Sequence, residues 1–191
     1  VVLLFCSRNA AAHENGLLLQ LQAGLAQPLS PAFITAYWTN SISFGAAFGT
    51  AVSERSVILL SYSHFTFGYD ASIIPEDDHA FAHQVLLACK RWMKTRCARL
   101  LPFYQFGAGI TLLRSPNIYQ ESPQFPGYID RENILEPAHQ NDGLTIHGGV
   151  GVNYRFLNET TLTFVEIFSS TSFSPSIYST IGGRCGVLFK I

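Results

Sequence analysis

The sequence predicts an all-β fold, an eight-stranded antiparallel up-and-down transmembrane β-barrel with short turns at one end and long loops at the other. Three observations predict it. The first is alternation: in "LTIHGGVGVNYRF" (144–156), Leu144, Ile146, Gly148, Val150, Val152, Tyr154 and Phe156 fall on one face and Thr145, His147, Gly149, Gly151, Asn153 and Arg155 on the other. A period of two is the strand signature, because successive side chains point to opposite faces. The second is composition. Charged residues are 13% of the 191 and apolar residues 48%, with a mean hydropathy of +0.20, against ~25% charged in soluble domains. No apolar run approaches the ~18–20 residues that a spanning helix needs. The third is that the connections alternate between tight polar turns and longer stretches rich in Pro, Ser, Asn and Asp.

In chain order, residues 1–12 read as the end of a secretory signal peptide: "VVLLFC" is apolar, and Ala10 and Ala12 frame an A-x-A cleavage site. An ordinary first strand is the alternative. Residues 13–191 form a single domain with candidate strands at 17–26, 41–52, 56–68, 84–95, 102–113, 143–156, 160–171 and 179–191. In the second, Ile42, Phe44, Ala46, Phe48 and Val52 oppose Ser43, Gly45, Ala47 and Gly49. In the fifth, Tyr104, Phe106, Ala108, Ile110 and Leu112 oppose Gln105, Gly107, Gly109 and Thr111. In the eighth, Cys185, Val187, Phe189 and Ile191 oppose Arg184, Gly186 and Lys190. The fourth, "HQVLLACKRWMKTR", also reads as an amphipathic helix. The turns "SERS", "KTRCARLL" and "LNET" are short. "QPLSPAFITAYWTN", "YDASIIPEDDHAFAH", 114–142 and "SFSPSIYS" are longer.

An eight-stranded barrel has a lumen just wide enough to be filled by side chains. The Ser, Gly, Gln, Thr, Asn and Arg faces make a poor soluble core and a good narrow lumen, so the large apolar faces are expected to look at lipid. Short turns and long loops at opposite ends are the organisation of bacterial outer-membrane barrels. Two aromatic girdles are expected: Phe103, Tyr104, Tyr154, Phe156 and Phe189 near the short turns, and Phe65, Phe67, Tyr69, Phe168, Phe173 and Tyr178 near the long loops.

"PFYQFGAGI", "HGGVGVNYRF…TLTFVE" and the closing "IGGRCGVLFKI" resemble the aromatic–glycine strand patterns of the small eight-stranded outer-membrane β-barrel family, OmpA- and OmpX-like in general form. That family ends on an aromatic residue, whereas this sequence ends on Ile191 with Phe189 two before it. The resemblance implies an integral protein of the Gram-negative outer membrane. Its expected partners are outer-membrane lipids and the assembly machinery, with a loop ligand of unknown identity.

Chemistry is sparse. With a net charge of -1 and no basic stripe, nothing points to nucleic acid. Ser63 beside His64 invites a hydrolase reading, but neighbouring strand residues face opposite sides, and no G-x-S-x-G motif is present. "PEDDHAFAH" gathers Glu76, Asp77, Asp78, His79 and His83. On a helical turn His79 and His83 would share one face and could hold a metal, and a solvated loop is the favoured reading. No catalytic, cofactor or metal residue is therefore expected, and the chain is read as non-enzymatic. Cys6, Cys89, Cys97 and Cys185 form no C-x-x-C pair. Cys89 and Cys97 lie about 26 Å apart on an extended strand at ~3.3 Å per residue, beyond the ~4.4–6.8 Å of a disulfide, so no bridge is expected.

A polar network is expected inside the barrel: Lys90, His147, Arg155, Glu166, Arg184 and Lys190. Buried charges need partners. If the last two strands form a hairpin with Phe168 opposite Gly182, Glu166 falls opposite Arg184. A two-residue turn at Asn158–Glu159 sets Gly151 opposite Glu166 and leaves room for its carboxylate. A packed plug of paired charges is the main reading of this interior and a gated, porin-like pore the second. Two rival classes are an outer-membrane barrel enzyme acting on lipid or peptide and a soluble lipocalin-like ligand carrier.

Overall fold

The structure, a computed structural model, describes residues 16–69, 74–75, 79–95, 99–121, 129–155 and 161–191. The expected signal segment 1–12, Cys6, Glu76, Asp77, Asp78, Cys97, Phe156 and the Asn158–Glu159 turn lie outside the described residues. The elements run β1 (Leu17–Ser30), α1 (Ala32–Thr35), β2 (Trp38–Ser53), β3 (Ser56–Tyr69), β4 (Ile74–Pro75), β5 (Ala80–Trp92), β6 (Leu100–Ser115), β7 (Ile118–Glu121), β8 (Ile129–Glu136), β9 (His139–Arg155), β10 (Thr161–Phe173) and β11 (Tyr178–Lys190). A closed barrel forms in the order β1-β11-β10-β9-β6-β5-β3-β2. Its neighbours are antiparallel throughout, and β1 closes on β11.

The expected strands are present, most of them longer than their alternating cores. β5 is extended from Ala80 to Trp92, which removes the helical alternative for this segment. Its even-numbered residues Ala80 to Lys90 face in, and Phe81, Val85 and Leu87 face out. Both neighbours, β3 and β6, satisfy its backbone.

Two connections differ from expectation. "SFSPSIYS" contracts to a link at 174–177, because β10 and β11 pair from Ser172 and Tyr178 downward. Within 114–142, β6 runs to Ser115 and β9 starts at His139, while β7 and β8 join β4 in a small sheet of their own. That sheet ties two outer loops together, with Ile74 paired to Tyr119 and Ile118 to Glu136.

The outward face is apolar. Phe44, Phe48, Phe106, Ile110, Val150 and Val152 are exposed, Phe106 by 64%. Val187 and Phe189 are half-exposed on the same face of β11. A belt of this extent far exceeds the few hundred Å² of contiguous apolar patch that soluble monomers tolerate. Just above Leu112 and Leu144, Arg114 and Asp142 pair on the outside and mark the upper border of the belt.

The lumen corrects a simple expectation that it holds only small and polar residues. That holds at mid-height. Near the short turns Leu18, Ala47, Val57, Leu59, Leu162 and Leu188 pack together inside. Near the outer loops Ile34, Trp38, Phe65, Phe67, Leu113, Ile118, Phe168 and Tyr178 form a second apolar layer, capped by the α1 turn. Phe65, Phe67, Phe103, Phe168 and Tyr178 are therefore interior residues, while Tyr69, Tyr104, Tyr154, Phe173 and Phe189 remain on the outside. The inner glycines serve these rings as much as polar chains. A Cβ on Gly182 would stand 2.8 Å from the Phe168 ring and one on Gly186 2.7 Å from Phe164. In so narrow a lumen a ring needs a bare rung nearby.

No disulfide joins Cys89 and Cys185, which face outward on β5 and β11, strands on opposite sides of the barrel.

Candidate functional site

The polar middle of the lumen is organised by strand register. β10 and β11 place Glu166 opposite Arg184 and Phe168 opposite Gly182, and β9 places Gly151 opposite Glu166. Inner-face parity then turns both charged side chains into the lumen. Arg184 donates from Nε to Glu166 Oε2 at 2.9 Å and from Nη2 to Oε1 at 3.1 Å. This two-point fork is the strong form of a guanidinium–carboxylate contact. Glu166 is 1% exposed.

His147, opposite Ser170 on β9, completes the group: Arg184 Nη2 lies 3.1 Å from its Nε2. Guanidinium nitrogens only donate, so Nε2 accepts and the ring carries its proton on Nδ1. The 3.7 Å approach of His147 to Glu166 is then not an ion pair. The Phe168 ring covers the group from the outer side, 5.0 Å from the Arg184 guanidinium carbon and 5.5 Å from the His147 ring. Room for the carboxylate comes from Gly149, where a Cβ would collide with Glu166 Oε1. Gly151, expected to supply that room, faces the Phe103 ring tip at 2.7 Å.

The remaining expected members do not join this cluster. Lys90 is inside and fully buried, but its Nζ makes no hydrogen bond among the described residues and sits 3.7 Å over the Phe103 ring and 4.5 Å over Phe164. These are cation–π contacts. Arg155 lies half-exposed on the rung of Leu162, near the short turns. Lys190 is exposed on the rung of Leu18, its side chain running beside Gly16. Both belong to the rim because the inner face opens to solvent at the strand ends, a point alternation alone does not register.

Alternation also gave no notice of the neutral hydrogen bonds across the lumen. Gln84 donates to Ser170 at 2.8 Å and to Thr111 at 3.2 Å, and Thr111 meets Thr145 at 2.7 Å. Gln20 donates to Gln22, which donates to Ser63 at 3.0 Å. Ser63 is thus held inside, while His64 points out through the wall. His79 precedes β5 and His83 lies within it, so the helical spacing that would let them share a metal is absent.

At the outer end a cleft of about 460 Å³ opens between the loops, lined by His79, Phe81, Arg114, Pro116, His139 and Gln140. His139 is fixed there by Glu136 at 2.6 Å and by stacking on Phe33, ring centres 4.0 Å apart.

No protein-family model matches the sequence, and no curated protein matches it. Solved structures do. The N-terminal β-barrel domain of OprF from Pseudomonas aeruginosa aligns with a TM-score of 0.56 and 13% identity over 93% of this chain and 98% of that one. Neisserial surface protein A aligns at 0.62 and 10% identity over 92% and 97%. Ail, the attachment invasion locus protein of Yersinia pestis, aligns at 0.52 and 9% identity over 93% and 100%. The chain has the fold of the small eight-stranded outer-membrane β-barrels. At these identities the likeness is one of architecture.

Proposed function

We propose that this chain is a non-enzymatic integral protein of the bacterial outer membrane that acts through its outer loops, as an envelope binding or structural element, and does not conduct. The lumen carries this reading: it is filled at both ends by apolar side chains and held shut at mid-height by Glu166, Arg184 and His147. A pore needs a continuous polar path, and here Phe67 and Leu59 stand in the way, each with 0% exposure. The surface left for partners is the loop end, where β4, β7 and β8 stiffen the long connections beside the cleft at Arg114 and His139. The partners expected at the wall are outer-membrane lipids, and during insertion the assembly machinery.

The enzymatic alternative has little to work with: Ser63 and His64 are on opposite faces of β3.

The test is electrical. Purified barrel inserted into a planar bilayer is expected to show no discrete conductance steps under applied voltage. Steady, ion-selective openings would replace the closed-plug reading with the porin-like one. Turnover of phospholipid or peptide that disappears in His64→Ala or Ser63→Ala would favour the enzyme instead.

A further inference from the structure

On the outer wall, β3 and β5 set His64 directly opposite His83. Their Nδ1 atoms lie 3.3 Å apart and their ring centres 4.8 Å apart. The Tyr62 hydroxyl is 2.7 Å from His83 Nδ1, and the Thr66 hydroxyl is 3.0 Å from His64 Nε2. Both rings are half-exposed. The flanking outward positions in register are apolar, Phe44 beside His64 and Leu112 beside His83. Two imidazoles set in an oily wall call for a reason other than packing.

Height supplies one condition. At ~3.3 Å per residue and a strand tilt of ~40°, His64 stands roughly 20 Å above the turn at Arg55, near the top of an apolar band ~25 Å tall. The pair lies where water and ions reach the wall.

The geometry supplies the other. Neutral imidazole is the commonest protein ligand of transition metals. Zinc–nitrogen bonds of ~2.0–2.1 Å at tetrahedral angles place two ligand nitrogens about 3.4 Å apart. The separation found, 3.3 Å, matches that bite. The surrounding hydroxyls also orient the rings. With His64 Nε2–H donating to Thr66, His64 Nδ1 turns its lone pair toward His83, whose own Nδ1 lone pair accepts from the Tyr62 hydroxyl until an incoming ion displaces that hydrogen bond. A hydrogen bond at the far nitrogen, as Thr66 makes to His64 Nε2, is how metal-bound histidines are held. At 3.3 Å the two nitrogens stand where either a shared proton or a metal ion bridges them, and the two are told apart by adding the ion.

We propose that His64 and His83 form a binding site for a divalent transition-metal ion of the Zn²⁺ or Cu²⁺ type on the outer wall of the barrel, with the Tyr62 hydroxyl beside it and solvent oxygen completing the coordination. Imidazole pairs favour Cu²⁺ within the divalent series, which makes copper the sensitive probe.

The test is a Cu²⁺ titration of the detergent-folded chain followed by electron paramagnetic resonance. One tightly held ion per barrel is expected, with a nitrogen splitting from two imidazoles. His64→Ala and His83→Ala should each weaken binding at least tenfold, and the double variant should lose the two-nitrogen signal. Both side chains face outward, so the folded lumen is untouched, which heat-modifiable electrophoretic mobility verifies. Should either variant fail to fold, carbethoxylation of wild type gives the same answer: Zn²⁺ should protect residues 64 and 83 from modification. Wild type that binds no ion shows that the rings share only a proton. That result overturns the proposal, as does a double variant that binds like wild type or protection confined to other histidines.

Discussion

Replacing Glu166 with alanine is expected to cost the barrel about 3–5 kcal/mol of stability, the usual penalty for removing one partner of a buried ion pair. The loss exceeds that of one interaction because Arg184 stays behind. Its guanidinium cannot shed its proton, has the Phe168 ring on its outer side, and keeps only the neutral His147 Nε2 as acceptor. The matched control is Glu54→Ala in the exposed β2–β3 turn, expected to stay within about 0.5 kcal/mol. Urea unfolding of vesicle-inserted protein, followed by tryptophan fluorescence, measures both. Replacing both partners, as Glu166→Gln with Arg184→Met, should recover much of the loss, because neither member of the pair is then left behind as a buried charge. A Glu166→Ala variant as stable as wild type would mean that water reaches the pair and that the lumen is open.

The second large effect belongs to the outer wall. Val150 and Ile167 are cross-strand neighbours at mid-height, 57% and 63% exposed. In a bilayer those positions meet acyl chains, so Val150→Arg or Ile167→Arg should each cost about 2–4 kcal/mol. The same change at Tyr154, close to the short-turn rim, should cost about 0–1 kcal/mol. The gradient with depth is the signature. On a soluble carrier an exposed Val→Arg change would stay within about 0.5 kcal/mol at every height. The same urea titration separates the two.

How much of this was legible in the sequence depends on the range of the interaction. The alternation of 41–52, 102–113 and 143–156 gave strands and faces, because a period of two is a property of each strand alone. The Glu166–Arg184 pair was also legible, since a tight hairpin at "SFSPS" fixes register between sequence neighbours. The apolar ends of the lumen were missed through over-extension of a local rule. Val57, Leu59, Phe65 and Phe67 share parity with Ser61 and Ser63, so the parity that put the serines inside put the rings there too. Aromatic residues near strand ends were assigned to girdles because rings fit either place. Three features needed tertiary information: the β4-β7-β8 sheet, stitched from two separate loops; the rim positions of Arg155 and Lys190; and the meeting of His64 with His83, whose register crosses the 70–79 connection. The sequence argued against a metal at His79 and His83 and gave no sign that His83 would face a different histidine.

The central claim is that the large apolar face of the strands looks at lipid and the glycine–polar face at a closed lumen. Single nitroxide labels at the outward positions 146, 148, 150 and 152, introduced one at a time into bilayer-reconstituted protein, test it most directly through collision with oxygen, which concentrates in lipid, and with a water-soluble nickel chelate. Oxygen accessibility is predicted to be high at all four positions, with the nickel reagent excluded from each. Low oxygen accessibility together with nickel access at 146, 148, 150 and 152 would contradict it.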